Sequence, residues 1–240
     1  MSNPVLNEKF IDRTGVMGEP LTMNGVLQKT FILFAIMVIS AGFIWSKGLQ
    51  GNADLVALLT TAGAIVGFIL AMIICFARKM VLTPIYAVAE GLFIGGLSFM
   101  MEKVYPGVVQ TATLGTIMTV AAMLFLYSTK MIKVNDKFTS ILMTATIAIA
   151  GIYLVQFIGS FFGLSIPGIF GNGTVGIVFS LIVIGVAALN LILDFHFIEN
   201  ASQSLVPKEY EWFFGFSLMV TIVWVYVEIL RLVAKFQSRD

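Results

Sequence analysis

Seven apolar stretches, roughly 28–46, 55–76, 83–101, 108–127, 138–161, 175–197 and 212–233, occupy most of this 240-residue chain. A helix rising 1.5 Å per residue needs about 20 apolar residues to cross the hydrocarbon core of a bilayer. Each stretch has close to that length. Inside lipid every backbone N–H and C=O must be paired within the protein, so segments of this kind are helices. The expected fold is an all-α integral membrane protein, a bundle of seven transmembrane helices. Composition agrees: 59% of residues are hydrophobic and 11% charged, against about 25% charged in soluble domains. A formal charge of +1 gives no field for nucleic acid. The partner implied is the lipid bilayer.

The connections are short and carry helix breakers, among them Gly48 and Gly51, Arg78-Lys79, Tyr105-Pro106-Gly107, Asn135-Asp136, Pro167 and Pro207. None has room for a soluble domain. Three parts are expected: a cytosolic tail over 1–27, a membrane domain over 28–233 and a short basic tail over 234–240. The tail carries Glu8, Lys9, Asp12, Arg13 and Glu19 without an apolar core, so no cleavable signal peptide is expected. The single Cys75 rules out an internal disulfide and any cysteine-based metal cluster. It reads as an inert thiol in an apolar run.

Basic residues orient the bundle, because cytosolic loops are enriched in Lys and Arg. With the N-terminus in the cytosol, Lys9, Arg13, Lys29, Arg78, Lys79, Lys130, Lys133, Lys137 and Lys208 lie inside, against Lys47 and Lys103 outside. The last span dissents: Arg231, Lys235 and Arg239 are exported if all seven helices cross. Small residues four apart, Gly63/Gly67, Gly91/Gly95 and Gly159/Gly163, mark faces where helix backbones can approach closely.

Three acids interrupt the apolar runs: Glu90, Asp194 and Glu228. A carboxylate in hydrocarbon costs a few kcal/mol or more, so such groups face a bundle interior or a hydrated path. Counting rises from the cytosolic ends, Glu90 lies about 10 Å deep and Asp194 about 5 Å. Asn190 precedes Asp194 by one turn and shares its face. Ser217, Thr221, Trp224 and Glu228 form a stripe at i, i+4, i+7 and i+11 on the last span. Glu90, Asn190, Asp194, Ser217 and Thr221 are therefore expected to meet in the cytosolic half, where neighbouring acids exchange a proton or a cation. Glu90 and Asp194 are the candidate cation ligands. Glu228 is expected apart, in an i,i+3 ion pair with Arg231. His196, the sole histidine, is expected at the solvated rim.

The run Ala187-Ala-Leu-Asn-Leu-Ile-Leu-Asp194-Phe-His-Phe-Ile-Glu199, then Glu211-Trp212 and Gly215 through Leu232, resembles the Bax inhibitor-1 family, in a bacterial branch. Ser2-Asn-Pro-Val-Leu6, Thr22-Met-Asn-Gly25 and Pro84 through Ser98 fit the same branch. The resemblance implies a central last helix wrapped by two three-helix layers. It also implies a pH-sensitive calcium leak whose sensor is an aspartate pair, one late in the sixth helix and one early in the seventh. Asp194 matches the first. Ungapped alignment of Phe216–Arg231 puts Thr221 at the second, and a hydroxyl cannot share a proton as a carboxylate does. Glu228, two turns away on the same face, and Glu90 are the candidate replacements.

The function expected is a membrane cation leak channel, with calcium as cargo and pH sensitivity through buried carboxylates. A bacterial plasma membrane is the expected location. A regulatory protein acting on other membrane machinery remains the alternative, since flat helix faces carry no signature. No enzyme and no cofactor are expected: HExxH and GxSxG are missing from the sequence. A Ser217–His196 pair is conceivable but requires chance proximity. No lysine lies between Trp212 and Arg231 to carry a retinal Schiff base.

Overall fold

A computed structural model describes residues 19–163 and 168–238. Expectations placed on Glu8, Lys9, Asp12, Arg13, Pro167, Arg239 and the Ser2–Leu6 motif lie outside the described residues. Seven helices follow in order: α1 (Met23–Leu49), α2 (Ala53–Ala77), α3 (Thr83–Val104), α4 (Val108–Ser128), α5 (Asp136–Phe161), α6 (Thr174–Gln203) and α7 (Glu211–Gln237). Short 3-10 turns at Met80–Leu82 and Lys208–Tyr210 lead into α3 and α7. All seven helices are long and apolar enough to cross a membrane.

Local chemistry sets the ends. Thr22 caps α1 by accepting from the Gly25 N–H at 2.9 Å, so the helix starts five residues ahead of the expected window. Asn135 caps α5 in the same way, accepting from Phe138 N–H at 2.8 Å. The α3–α4 turn passes through Gly107 at φ 85°, a conformation open to glycine. Glu102 accepts there from Gly107 N–H (2.7 Å) and Val109 N–H (3.0 Å), satisfying donors that the start of α4 would leave unpaired.

The chain divides into two compact units. The first comprises the described part of Met1–Met100 with His196–Met219; the second comprises Met101–Phe195 with the described part of Val220–Asp240. Helix α7 thus contributes its first third to one unit and the remainder to the other. It is also the most deeply buried span, with 61% of its apolar window covered, against 11% for α5.

In the first unit the glycines of α3 serve as expected. A side chain on Gly91 would strike the Met37 carbonyl, and one on Gly95 would sit 2.5 Å from the Ala41 Cα, both on α1. Gly63 on α2 packs against α3 just as tightly, with Ala89 O and Phe93 N at 2.7 and 2.9 Å from where its Cβ would stand. Ser40 reinforces the α1–α3 contact by donating to Val88 O at 2.8 Å. The Gly159/Gly163 pair is different. Gly163 has φ 67° just past the end of α5 and nothing among the described residues within 4 Å of a Cβ. It terminates the helix instead of packing it.

Ahead of α1, a short segment lies along the α6–α7 connection of the same unit. Leu21 N–H donates to Val206 O at 2.7 Å and Lys208 N–H to Glu19 O at 3.1 Å, closing a bridge between Pro20 and Pro207. Glu211, only 1% exposed, accepts from both the backbone N–H and the hydroxyl of Thr22 at 3.2 Å.

Candidate functional site

Helix α7 carries Glu228 and Arg231 one turn apart, and α5 brings Tyr153 against them. The Glu228 side chain is 2% exposed. Its Oε1 accepts from the Tyr153 hydroxyl at 2.9 Å and from Arg231 Nη1 at 3.3 Å. The i,i+3 ion pair expected from the spacing is present. The Arg231 guanidinium also lies over the Tyr153 ring, 5.2 Å from its centroid, a cation–π distance. The other carboxylate oxygen, Oε2, is buried with no partner among the described residues.

These groups form the wall of a cavity of about 360 Å³ within the second unit, shared with Ser180, Lys235, Phe170 and Phe179. Lys235 Nζ donates to Gly176 O and Ser180 Oγ, both at 2.9 Å, and reaches Ile169 O at 3.5 Å. Counted with the tail in the sequence, Lys235 is part of α7 and turns into the protein. Tyr153 and Lys235 were not among the residues expected to form a site. Tyr153 is one of several hydroxyls on α5, and nothing in its own span shows which helix it will face.

The second unit also holds Asn190, Asp194 and Thr221. Asp194 is half-buried, and its Oδ2 is shielded from solvent. Thr221 is buried. Asn190 does not serve Asp194 as its position suggested. Its amide donates to Thr146 Oγ1 and to Val186 O, both at 2.9 Å. The carbonyl one turn earlier is an ever-present acceptor, and the α5 hydroxyl takes the remaining N–H.

Glu90 and Ser217 belong to the first unit. Glu90 is half-buried on α3, with Tyr86 one turn earlier as hydrogen-bonding partner. Its Oε2 lies 3.4 Å from where a Cβ on Gly67 would stand, so a small residue on α2 makes room for the acid. His196 is half-buried and lies 3.0 Å from the Asn200 amide. No three His, Cys, Asp or Glu side chains converge among the described residues, whereas calcium takes six to eight oxygens.

The arrangement is that of a membrane protein with acids held inside its spans. No curated protein matches the chain. A family model described as Bax inhibitor 1 like matches residues 3–238, nearly its whole length, and the chain belongs to that family.

Proposed function

We propose that this membrane protein is a passive cation leak, with calcium as its cargo and Asp194 as the group that makes the leak pH-sensitive. The supporting observation is the placement of Asp194 on α6, half-buried in an apolar span with one carboxylate oxygen shielded from solvent. A desolvated carboxylate gains far more from a passing cation or a proton than one in water. Ionised, it lowers the barrier to a cation; protonated, it does not. Asn190 and Thr221, in the same unit as Asp194, supply further oxygens along the spans. The chemistry is permeation, with no covalent step. The reading places the N-terminus in the cytosol and the protein in a bacterial plasma membrane.

Calcium flux into liposomes at about pH 6 and about pH 8 tests this. Flux should exceed that of protein-free vesicles and change between the two conditions, and Asp194→Asn should abolish the change. Equal flux with and without protein ends the proposal.

A further inference from the structure

The cavity bounded by Tyr153, Ser180, Glu228, Arg231 and Lys235 is not absorbed by the cation reading. It holds two basic groups against one acid, so its fixed charge is positive. Among the described residues Lys235 donates to neutral oxygens only. Arg231 spends one N–H on Glu228 and leaves its side chain 46% exposed. A bare cation would be repelled. A simple anion would suit the two basic groups but not Glu228, whose buried Oε2 has no donor among the described residues. Leaving such an oxygen unpaired costs about 1–3 kcal/mol, more for a charged group. A water molecule could donate to it, yet would leave the positive charges uncompensated. The occupant that fits carries one negative charge and an O–H donor together.

Position narrows the class. Lys235 lies two residues before the end of α7, and Ser180 six residues after the start of α6. Glu228 is nine residues from the end of α7, about 14 Å along the axis. The cavity therefore runs from the helix ends into the upper hydrocarbon region, the depth of lipid headgroups and the first acyl carbons. Phe170 and Phe179 line it, while Val175 and Val178 nearby on α6 are 63% and 49% exposed on a surface that lipid covers. Its volume suits a small ligand.

We propose that this cavity binds the headgroup of an anionic glycerophospholipid of the phosphatidylglycerol class. The phosphodiester meets Arg231 and Lys235, since charge-assisted bonds from Arg and Lys are the strong means of holding phosphate. A headgroup hydroxyl donates to Glu228 Oε2. Phosphatidylethanolamine brings a donor but no net charge, and phosphatidylcholine brings neither.

Native mass spectrometry of the full chain in detergent, with the three lipids matched in acyl chains, tests the assignment. Phosphatidylglycerol should be retained about fivefold over phosphatidylcholine, a modest free-energy difference, with phosphatidylethanolamine between them. Lys235→Met should bring phosphatidylglycerol down to the level of phosphatidylcholine. The headgroup comparison on the unaltered protein stands even if that variant fails to fold. Equal retention of the three lipids overturns the proposal, as does a preference that survives Lys235→Met. Displacement of the lipid by soluble glycerol phosphate also overturns it, because the site would then serve a water-borne phosphate ester.

Discussion

The Tyr153 hydroxyl donates to Glu228 Oε1 across 2.9 Å, joining α5 to α7 inside the membrane. Helix α5 is otherwise the least buried of the spans, and lipid offers no hydrophobic drive for it to dock on its neighbours. A polar contact of this kind fixes rotation about the helix axis as well as proximity. It also holds Glu228 in place while Arg231 balances its charge.

Tyr153→Phe should therefore loosen α5. Hydrogen bonds between membrane helices average about 0.6 kcal/mol and reach about 1.7, whereas a buried charged acceptor that loses its donor costs about 1–3. Glu228 keeps Arg231, which favours the low end of both ranges. A loss of about 1 kcal/mol is expected, read as a lower unfolding midpoint in mixed micelles. Glu228→Gln should cost more, since it also removes the charge paired with Arg231.

Gly25 and Glu211 should be energetically coupled. A Cβ on Gly25 would overlap the Glu211 carboxylate, so Gly25→Ala must drive Glu211 off Thr22 and lose both bonds. Overpacking of this kind typically costs about 1–3 kcal/mol. With Glu211→Ala already made, the obstruction is gone, and Gly25→Ala should be near neutral or gain up to about 1 kcal/mol of helix propensity. A double-mutant cycle on thermal stability in detergent would expose the coupling. Simple additivity would show that Glu211 moves aside without cost.

The spans were legible because hydropathy acts residue by residue, and length alone decides whether a run can cross a bilayer. Gly91 and Gly95 were legible as packing residues for a related reason: two small residues one turn apart admit a neighbouring backbone whichever helix supplies it. Gly163 carried the same pattern with another use, since a helix end and a packing face both select glycine. Glu228 was legible as an acid paired with Arg231, but the partners reached across helices were not. Asn190 chose its own i−4 carbonyl and Thr146 on α5, and that second choice depends on a helix rotation no local pattern encodes. Lys235 looked like a tail charge because composition cannot say whether a basic residue at a helix end faces water or folds back onto carbonyls.

Thr221 offers a direct test of the leak. It is buried on α7, where the resemblance puts the second aspartate of the proton sensor. Thr221→Asp should steepen the change in calcium flux between about pH 6 and about pH 8, because two nearby carboxylates cannot both ionise cheaply. Thr221→Val should leave that change as it is. A flat flux–pH profile in the aspartate variant would show that Asp194 and position 221 do not share protons.

The segment ahead of α1 should respond to acid. Lys208 hydrogen-bonds Glu19 and attracts it electrostatically, which holds the carboxyl below its ordinary value near 4.5. A group whose value is depressed by folding stabilises the folded arrangement above its unfolded value, and that contribution is lost as pH falls through the folded one. The Leu21 amide, bonded to Val206 O, reports on this segment. Its protection from hydrogen exchange, corrected for intrinsic rate, should hold steady from neutral pH to about pH 5 and decline below the ordinary carboxyl range. The decline should be small, because the pair is exposed and screened by solvent. Lys208→Met should remove the decline while sparing the backbone bridge, since Lys208 N–H to Glu19 O is independent of the side chain. Protection that falls equally in both proteins would show that the Glu19–Lys208 pair does not hold this segment.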